Sequence, residues 1–259
     1  DNDLMVTDHT PGFGSAAKYV ATTMSEISCD CNVYAQPSVT IVEIMGRDAG
    51  WLTAAAALPR LHGVGPDYIY LPEKPFDVEY FLRDIENAFA RHPNVVIAVS
   101  EGLRDYNGKY ISESEEVDAF GHKMLCGTAQ RLAHIVKQEL GCKVRSVELN
   151  ILQRCASHIA SLTDITESVG VGRAAVKAAV EGRTGVMMTI DRAPGEEYSV
   201  TFGASDISSI ANAVRHVPDE YINEAGNGIT EAGIKYLAPL IIGEVDVKYE
   251  NGLPAHVVF

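Results

Sequence analysis

The order of hydrophobic segments predicts an α/β fold: a parallel β-sheet with helices on both faces. Two observations carry that prediction. Short β-branched runs at residues 39–45 (VTIVEIM), 67–71 (DYIYL), 94–100 (NVVIAVS) and 143–149 (KVRSVEL) alternate with longer stretches of helical periodicity. Strands separated by helices of that length pair in parallel, with right-handed crossovers. The run at 94–100 is also almost free of polar residues, which suits a strand covered on both faces.

The first element is a helix over 14–27, where Ala17, Val20, Met24 and Ile27 recur at helical spacing and Ser15 is available to cap. After the strand at 39–45, GWLTAAAAL (50–58) reads as a buried helix, because alanine is the strongest helix former. The strand at 67–71 leads to an amphipathic helix over 77–91, which Pro93 stops. Beyond the strand at 94–100, a polar loop (104–118) precedes a long helix (120–140) ended by Gly141. The strand at 143–149, a helix at 164–181, a strand at 186–191 and a β segment at 198–202 follow, then helical turns and a polar tail. No internal repeat or low-complexity linker interrupts the chain.

The chain has 259 residues, 46% hydrophobic and 22% charged, enough to bury a core in one large domain or two small ones. Its net charge of −14 argues against a nucleic-acid partner, which needs a basic face. An anionic substrate must then be held by locally concentrated cations, so individual arginines carry more information than the total. No apolar run approaches the roughly 20 residues of a membrane-spanning helix. The opening DNDLMVTDHT lacks the basic and apolar regions of a signal peptide, and it lacks a starting Met, which points to processing or to a piece of something longer. Five scattered cysteines (29, 31, 126, 142, 155) suit reduced thiols and a cytoplasmic setting. Cys29-Asp30-Cys31 has no second pair at zinc spacing and reads as a polar loop after a helix.

Ligands of open α/β sheets bind beyond the carboxyl ends of the strands. After the first strand comes Met45-Gly46-Arg47-Asp48-Ala49-Gly50, with a helix opening behind it. Glycines there let backbone approach a ligand, and Arg47 adds a fixed cation. Pro72-Glu73 follows the second strand and Ser100-Glu101-Gly102 the third. The fourth carries Arg145, with Gln153-Arg154 just beyond. Arginines suit phosphate, and a glutamate suits a sugar hydroxyl or a metal. Each residue taken singly is as readily a solvated loop residue; five on one edge point to a phosphorylated small molecule. Asp1 and Asp3, with Asp8 and Thr10 near by, would place a base beside a magnesium ligand, as phosphoryl transfer requires, although a bare D-x-D is more often solvated loop. Gly170-Val171-Gly172 lacks the strand and spacing of a dinucleotide fingerprint and reads as helix packing.

Six segments resemble one family. DND (1–3), TDHTPGFGSAAKYVA (7–21), VEIMGRDAGWLTAAAAL (42–58), LPEKPFD (71–77), VSEG (99–102) and INEAGNGIT (222–230) are similar, in order and across nearly the whole chain, to segments of the 6-phosphofructokinases. TDHTPGFGSAA is most similar to the pyrophosphate-using branch. The resemblance implies a phosphofructokinase-like fold whose N-terminal half is missing, and a phosphotransferase of glycolysis that converts fructose 6-phosphate to fructose 1,6-bisphosphate with pyrophosphate, or ATP, and Mg2+. Asp1 would be the general base and Asp3 the magnesium ligand. Met45 and Gly46 would line the sugar pocket, Arg47 would steady the transferring phosphoryl group and Glu101 would hold a sugar hydroxyl. Arg145 and Arg154 would grip the 6-phosphate, with Arg145 reaching across a subunit interface of a homo-oligomer.

The resemblance also divides the chain: residues 1–12 as a remnant of the donor domain, 13–150 as the sugar-phosphate domain, 151–204 as a segment returning to the donor domain, and 205–259 as C-terminal helices and tail. Three positions depart from the family. Ile151 stands where a His or Tyr is usual, Cys155-Ala156 where two glycines are usual, and Ser38 near the place of an arginine that reaches a neighbouring subunit. These departures imply a weakened or rebuilt 6-phosphate site, and they give weight to an alternative, a non-catalytic sugar-phosphate-binding regulatory or structural subunit. The glycine-rich donor site would precede residue 1, so the resemblance predicts little or no kinase activity for this chain alone.

Overall fold

The computed structural model describes residues 2–117, 123–125, 127–195 and 197–256. In chain order the elements are α1 (Phe13–Cys31), β1 (Ser38–Ile44), α2 (Trp51–Ala54) continued by 3-10 turns over Ala55–His62, β2 (Tyr68–Tyr70), α3 (Val78–Phe89), β3 (Asn94–Ser100), β4 (Glu113–Val117), β5 (Lys123–Leu125), α4 (Thr128–Leu140) and β6 (Lys143–Glu148). The remainder holds α5 (Leu152–Cys155), α6 (Leu162–Val180), β7 (Val186–Arg192), β8 (Val200–Asp206), α7 (Glu231–Leu237) and a small tail pairing of β9 (Tyr249–Glu250) with β10 (Leu253–Pro254).

Four strands form the central sheet in the order β2-β3-β1-β6, all parallel. Side chains alternate across it as a pleated strand demands. Val42, Ile44, Val96 and Ala98 face α1, Trp51 and the buried alanines 54–57, while Val39, Ile41, Val95, Ile97 and Val99 face α3 and α4. Helices therefore cover both faces, and β3 is buried along its whole length, as its composition predicts. No helix among the described residues is long and apolar enough to cross a membrane.

Four expectations need correction. The helix expected at 50–58 is α-helical only to Ala54 and then tightens into 3-10 turns, because Pro59 has no N–H to donate back along the helix. Part of the loop expected at 104–118 is strand β4, paired antiparallel with β5, and the helix expected from 120 begins at Thr128 behind Gly127. Cys29 and Cys31 lie in the last turn of α1 rather than in a loop. The β segment after 186–191 runs over Val200–Asp206, and β7 and β8 form an antiparallel ribbon separate from the parallel sheet. Gly170 does serve packing, since a Cβ there would overlap the Phe202 ring, whereas Gly172 faces open space.

Gly12 offers no side chain to cap α1. Asp164 on α6 takes that role: its carboxylate accepts from Gly12 N at 2.7 Å, Ser15 N at 3.1 Å and Ser15 Oγ at 2.5 Å. An anion placed there also complements the helix dipole. On the other face Phe81 is fully buried against Tyr70 and Phe76, with ring centroids 5.6 and 5.4 Å away. Replacing Phe81 with Ala should cost about 3–5 kcal/mol in urea unfolding; a loss below about 1 kcal/mol would mean the site collapses around the gap.

Candidate active site

Two loops leave the carboxyl ends of β1 and β3 and pack into one surface. Gly46 adopts φ 133°, a conformation for which a side chain is ill suited, and its carbonyl accepts from Ser100 Oγ. Glu101 N donates to Ile44 O at 3.0 Å. Gly102 lies so close to the Arg47 backbone that a methyl group there would overlap the Arg47 carbonyl. Thr128 Oγ1 donates to Glu101 O at 2.9 Å, seating the start of α4 beneath this surface. Glu43 N-terminal to the β1 loop accepts from Ala129 N at 2.8 Å. Burial pushes its carboxyl above the usual range, and the Glu148 and Glu101 carboxylates push the same way.

Toward β2, Glu73 Oε1 accepts from both Gly50 N and Val217 N at 2.9 Å, while its Oε2 is buried without a partner. Burial raises the Glu73 carboxyl, against the two amide donors and His216, which lower it. Arg47, Asp48, Glu73, Arg104 and His216 line a polar cleft of about 330 Å³ here. Arg104 pairs with Asp48 at 2.7 Å. Arg47 is exposed and has no ion-pair partner among the described residues, so its charge is available to a ligand.

The opening loop is tied to the start of α2 through Arg215, which bonds both Asp3 and Trp51. Asn2 is buried, donating to Tyr236 OH and accepting from Thr10 N, both at 3.1 Å. Asp3 is half-buried, and its carbonyl accepts from Arg215 N at 2.7 Å. Asp8 N donates to Ile190 O at 2.9 Å and Ile190 N to Thr7 Oγ1 at 3.0 Å, which fastens the loop to β7. Buried His9 and Glu167 meet at 2.5 Å, and Tyr198 OH donates to the other Glu167 oxygen at 2.6 Å.

Met45, Gly46, Arg47 and Glu101 therefore gather at the carboxyl edge. Met45 N donates to Gln153 Oε1 at 3.2 Å, which brings α5 and the exposed Arg154 to the same edge. Arg145 does not join them within this chain. It pairs in register with Thr40, and its guanidinium lies 5.1 Å over the Tyr34 ring, in the loop before β1. Reading it as a strand-end residue is corrected: β6 starts at Lys143, so its carboxyl end is Glu148. Asp1 lies outside the described residues. Ser38 is buried and donates to Asn94 Oδ1 at 2.9 Å, and Ile151 is 56% exposed. Sequence reasoning missed Arg215, Tyr236, His9 and Glu167, whose partners lie far away in the chain; only the His within TDHT stood inside a segment already singled out.

The segment that holds the MGR and SEG loops is matched by the model of the phosphofructokinase family, over residues 1–179. The chain belongs to the phosphofructokinase family. It is 42% identical over 257 residues to the pyrophosphate–fructose 6-phosphate 1-phosphotransferase of Halomonas elongata, a match covering 98% of this chain and 61% of that relative. The enzyme of the same description from Methylococcus capsulatus is 41% identical, covering 99% and 62%. The crystal structure of pyrophosphate-dependent phosphofructokinase from Nitrosospira multiformis matches with TM-score 0.88 at 38% identity, over 99% of this chain and 62% of that one. The chain thus spans about three fifths of the length of the curated relatives it matches.

A carboxyl whose folded pKa lies above its ordinary 4.5, as at Glu73, binds more protons folded than unfolded. Its contribution to stability is present in full below that value and is lost as pH rises through the folded pKa. Urea midpoints of the wild type should therefore fall relative to Glu73→Gln as pH rises above 4.5; parallel curves would rule out a buried, destabilised carboxylate.

Proposed function

We propose that this chain forms the sugar-phosphate side of a pyrophosphate-dependent 6-phosphofructokinase, a cytoplasmic glycolytic enzyme. The observation that carries the reading is the packing of the Met45–Gly46–Arg47 loop onto Ser100–Glu101–Gly102, with the Asp3 loop tied through Arg215 to Trp51, where the first of these loops enters α2. Fructose 6-phosphate sits on Met45 and Gly46, with Glu101 accepting from a sugar hydroxyl and Arg154 on the 6-phosphate. Asp1 takes the proton of the 1-hydroxyl as that oxygen bonds to phosphorus, and the bridging P–O bond of pyrophosphate breaks to release phosphate. Arg47 stabilises the charge on the migrating group. ATP as donor is the less favoured choice, since the relatives above carry pyrophosphate in their descriptions.

Magnesium fits the residues present. Among the described residues no group of three or more His, Cys, Asp or Glu could hold a metal ion. Magnesium in phosphoryl-transfer sites, however, is held by one or two carboxylates together with substrate phosphates, and half-buried Asp3 keeps its carboxylate clear of the bonds that fix its backbone. Bound there, the ion would neutralise phosphate charge.

Residues 151–204 return to the donor side. Ile165, Val169, Val176 and Val180 form an exposed apolar stripe on α6, of the kind a helix covers with a partner surface. Beside it an apolar cavity of about 600 Å³ lies between α6, β7 and residues 4–11. The exposed edge strand β6 presents Arg145 to a neighbouring subunit of a homo-oligomer. Exposed Ile151 favours a second reading, a sugar-phosphate-binding subunit without catalysis.

In the complete protein, Arg47→Ala should lower kcat far more than fructose 6-phosphate affinity, whereas Glu101→Gln should raise KM; equal effects of Arg47→Ala on both would remove its role. Turnover absent in the complete protein, with sugar phosphate still bound, would favour the second reading. The purified 259-residue chain alone should show little or no turnover with pyrophosphate and fructose 6-phosphate, and substantial turnover would locate the donor site within it.

A further inference from the structure

Between β8 and α7 the chain runs through short 3-10 turns and irregular backbone, and within it Arg215 is half-buried. Its contacts link parts of the molecule far apart in sequence. The backbone N donates to Asp3 O at 2.7 Å, and the guanidinium donates through Nη1 to Thr7 O at 3.1 Å and to Asp8 O. The backbone O accepts from Trp51 Nε1 at 2.8 Å, and the guanidinium lies 4.7 Å over the Trp51 ring. Two residues on, Val217 shares the Glu73 carboxylate with Gly50. Tyr236 grips the same loop: its hydroxyl donates to Asp8 O and accepts from Asn2 Nδ2.

The loop so held is one that would not hold itself. Asn2 and Val6 have φ of 61° and 66°. For a β-branched residue such as Val that conformation is disfavoured, and it persists only where the surroundings impose it. The bonding pattern is also selective. Among the hydrogen bonds of the described residues, the Arg215 guanidinium donates to the Thr7 and Asp8 carbonyl oxygens and not to the carboxylates of Asp3 or Asp8, so it fixes the backbone of the loop and leaves those carboxylates out of its hydrogen bonds.

We propose that Arg215, supported by Tyr236, is a positioning residue that sets the Asp3 loop against the Gly46–Trp51 segment and so aligns the two halves of the phosphoryl-transfer site. The proposal rests on the functional reading above. It requires that loosening Arg215 slow the transfer step and leave sugar binding intact, because the contacts of its guanidinium are Thr7, Asp8, Tyr236 and Trp51, and none is Met45, Gly46 or Glu101.

The test uses the complete protein with Arg215→Met, Arg215→Lys and Tyr236→Phe, read by steady-state kinetics and by amide hydrogen exchange of residues 2–9. Arg215→Met should speed exchange in that segment and lower kcat by about 10²-fold, with KM for fructose 6-phosphate unchanged. Arg215→Lys should recover much of both, since an ammonium can donate to the same carbonyls. Tyr236→Phe should give smaller effects in the same direction, and it decides the matter if Arg215→Met does not fold. Unchanged exchange, faster exchange with kcat retained, or a loss carried by KM would each overturn the proposal. A wild type without turnover would defeat the functional reading instead, and the exchange measurement would still decide whether Arg215 holds the loop.

Discussion

At Gly102 the backbone leaving β3 touches the backbone leaving β1, at the Arg47 carbonyl, with no room for a side chain between them. Everything else at the candidate site is arranged around that contact. It turns two separate loops into one floor, on which Glu101 and Arg47 have a defined relation. The Ser100–Gly46 hydrogen bond and the amide of Glu101 on Ile44 O reinforce it from within the sheet. Because β1 and β3 are adjacent and parallel, their carboxyl ends emerge side by side. The contact follows from strand order, and the glycines permit it.

The chain then uses uncompensated buried polarity sparingly. Glu73 keeps one oxygen unpaired and its carboxyl raised, yet the other oxygen holds both the start of α2 and the strap at Val217. Asp164 does the equivalent service for α1, and Glu167 draws His9 and Tyr198 together under the opening loop. In each case one carboxylate satisfies donors from elements distant in sequence. Such acids join segments of the chain that lie far apart in sequence.

Membership of the phosphofructokinase family accounts for the loops shared with the relatives, while Ser38 and Ile151 have local settings of their own. Ser38 bonds across β1 and β3 to Asn94, a role within the sheet. Ile151 stands exposed at the entrance to α5, next to the Gln153 that anchors Met45.

Much of the parallel core was legible from the sequence, because hydrophobic periodicity is a local signal. The strand at 94–100 appears with those limits, and the residues following β1 and β3 stand where strand ends put ligands. The sequence by itself determined the parallel α/β core, the two glycine-bearing loops and the chemistry they offer. It did not reveal the β4–β5 hairpin, whose alternation is masked by charged residues, or that Arg145 points to the loop before β1 instead of the carboxyl edge. Nor did it reveal the hold of Arg215 and Tyr236 on residues 2–8. Those depend on which distant carbonyl a side chain reaches, across more than two hundred positions. Periodicity reports that a residue is buried, but not what it meets there; only the folded chain, by bringing its two ends together over Trp51, decided that.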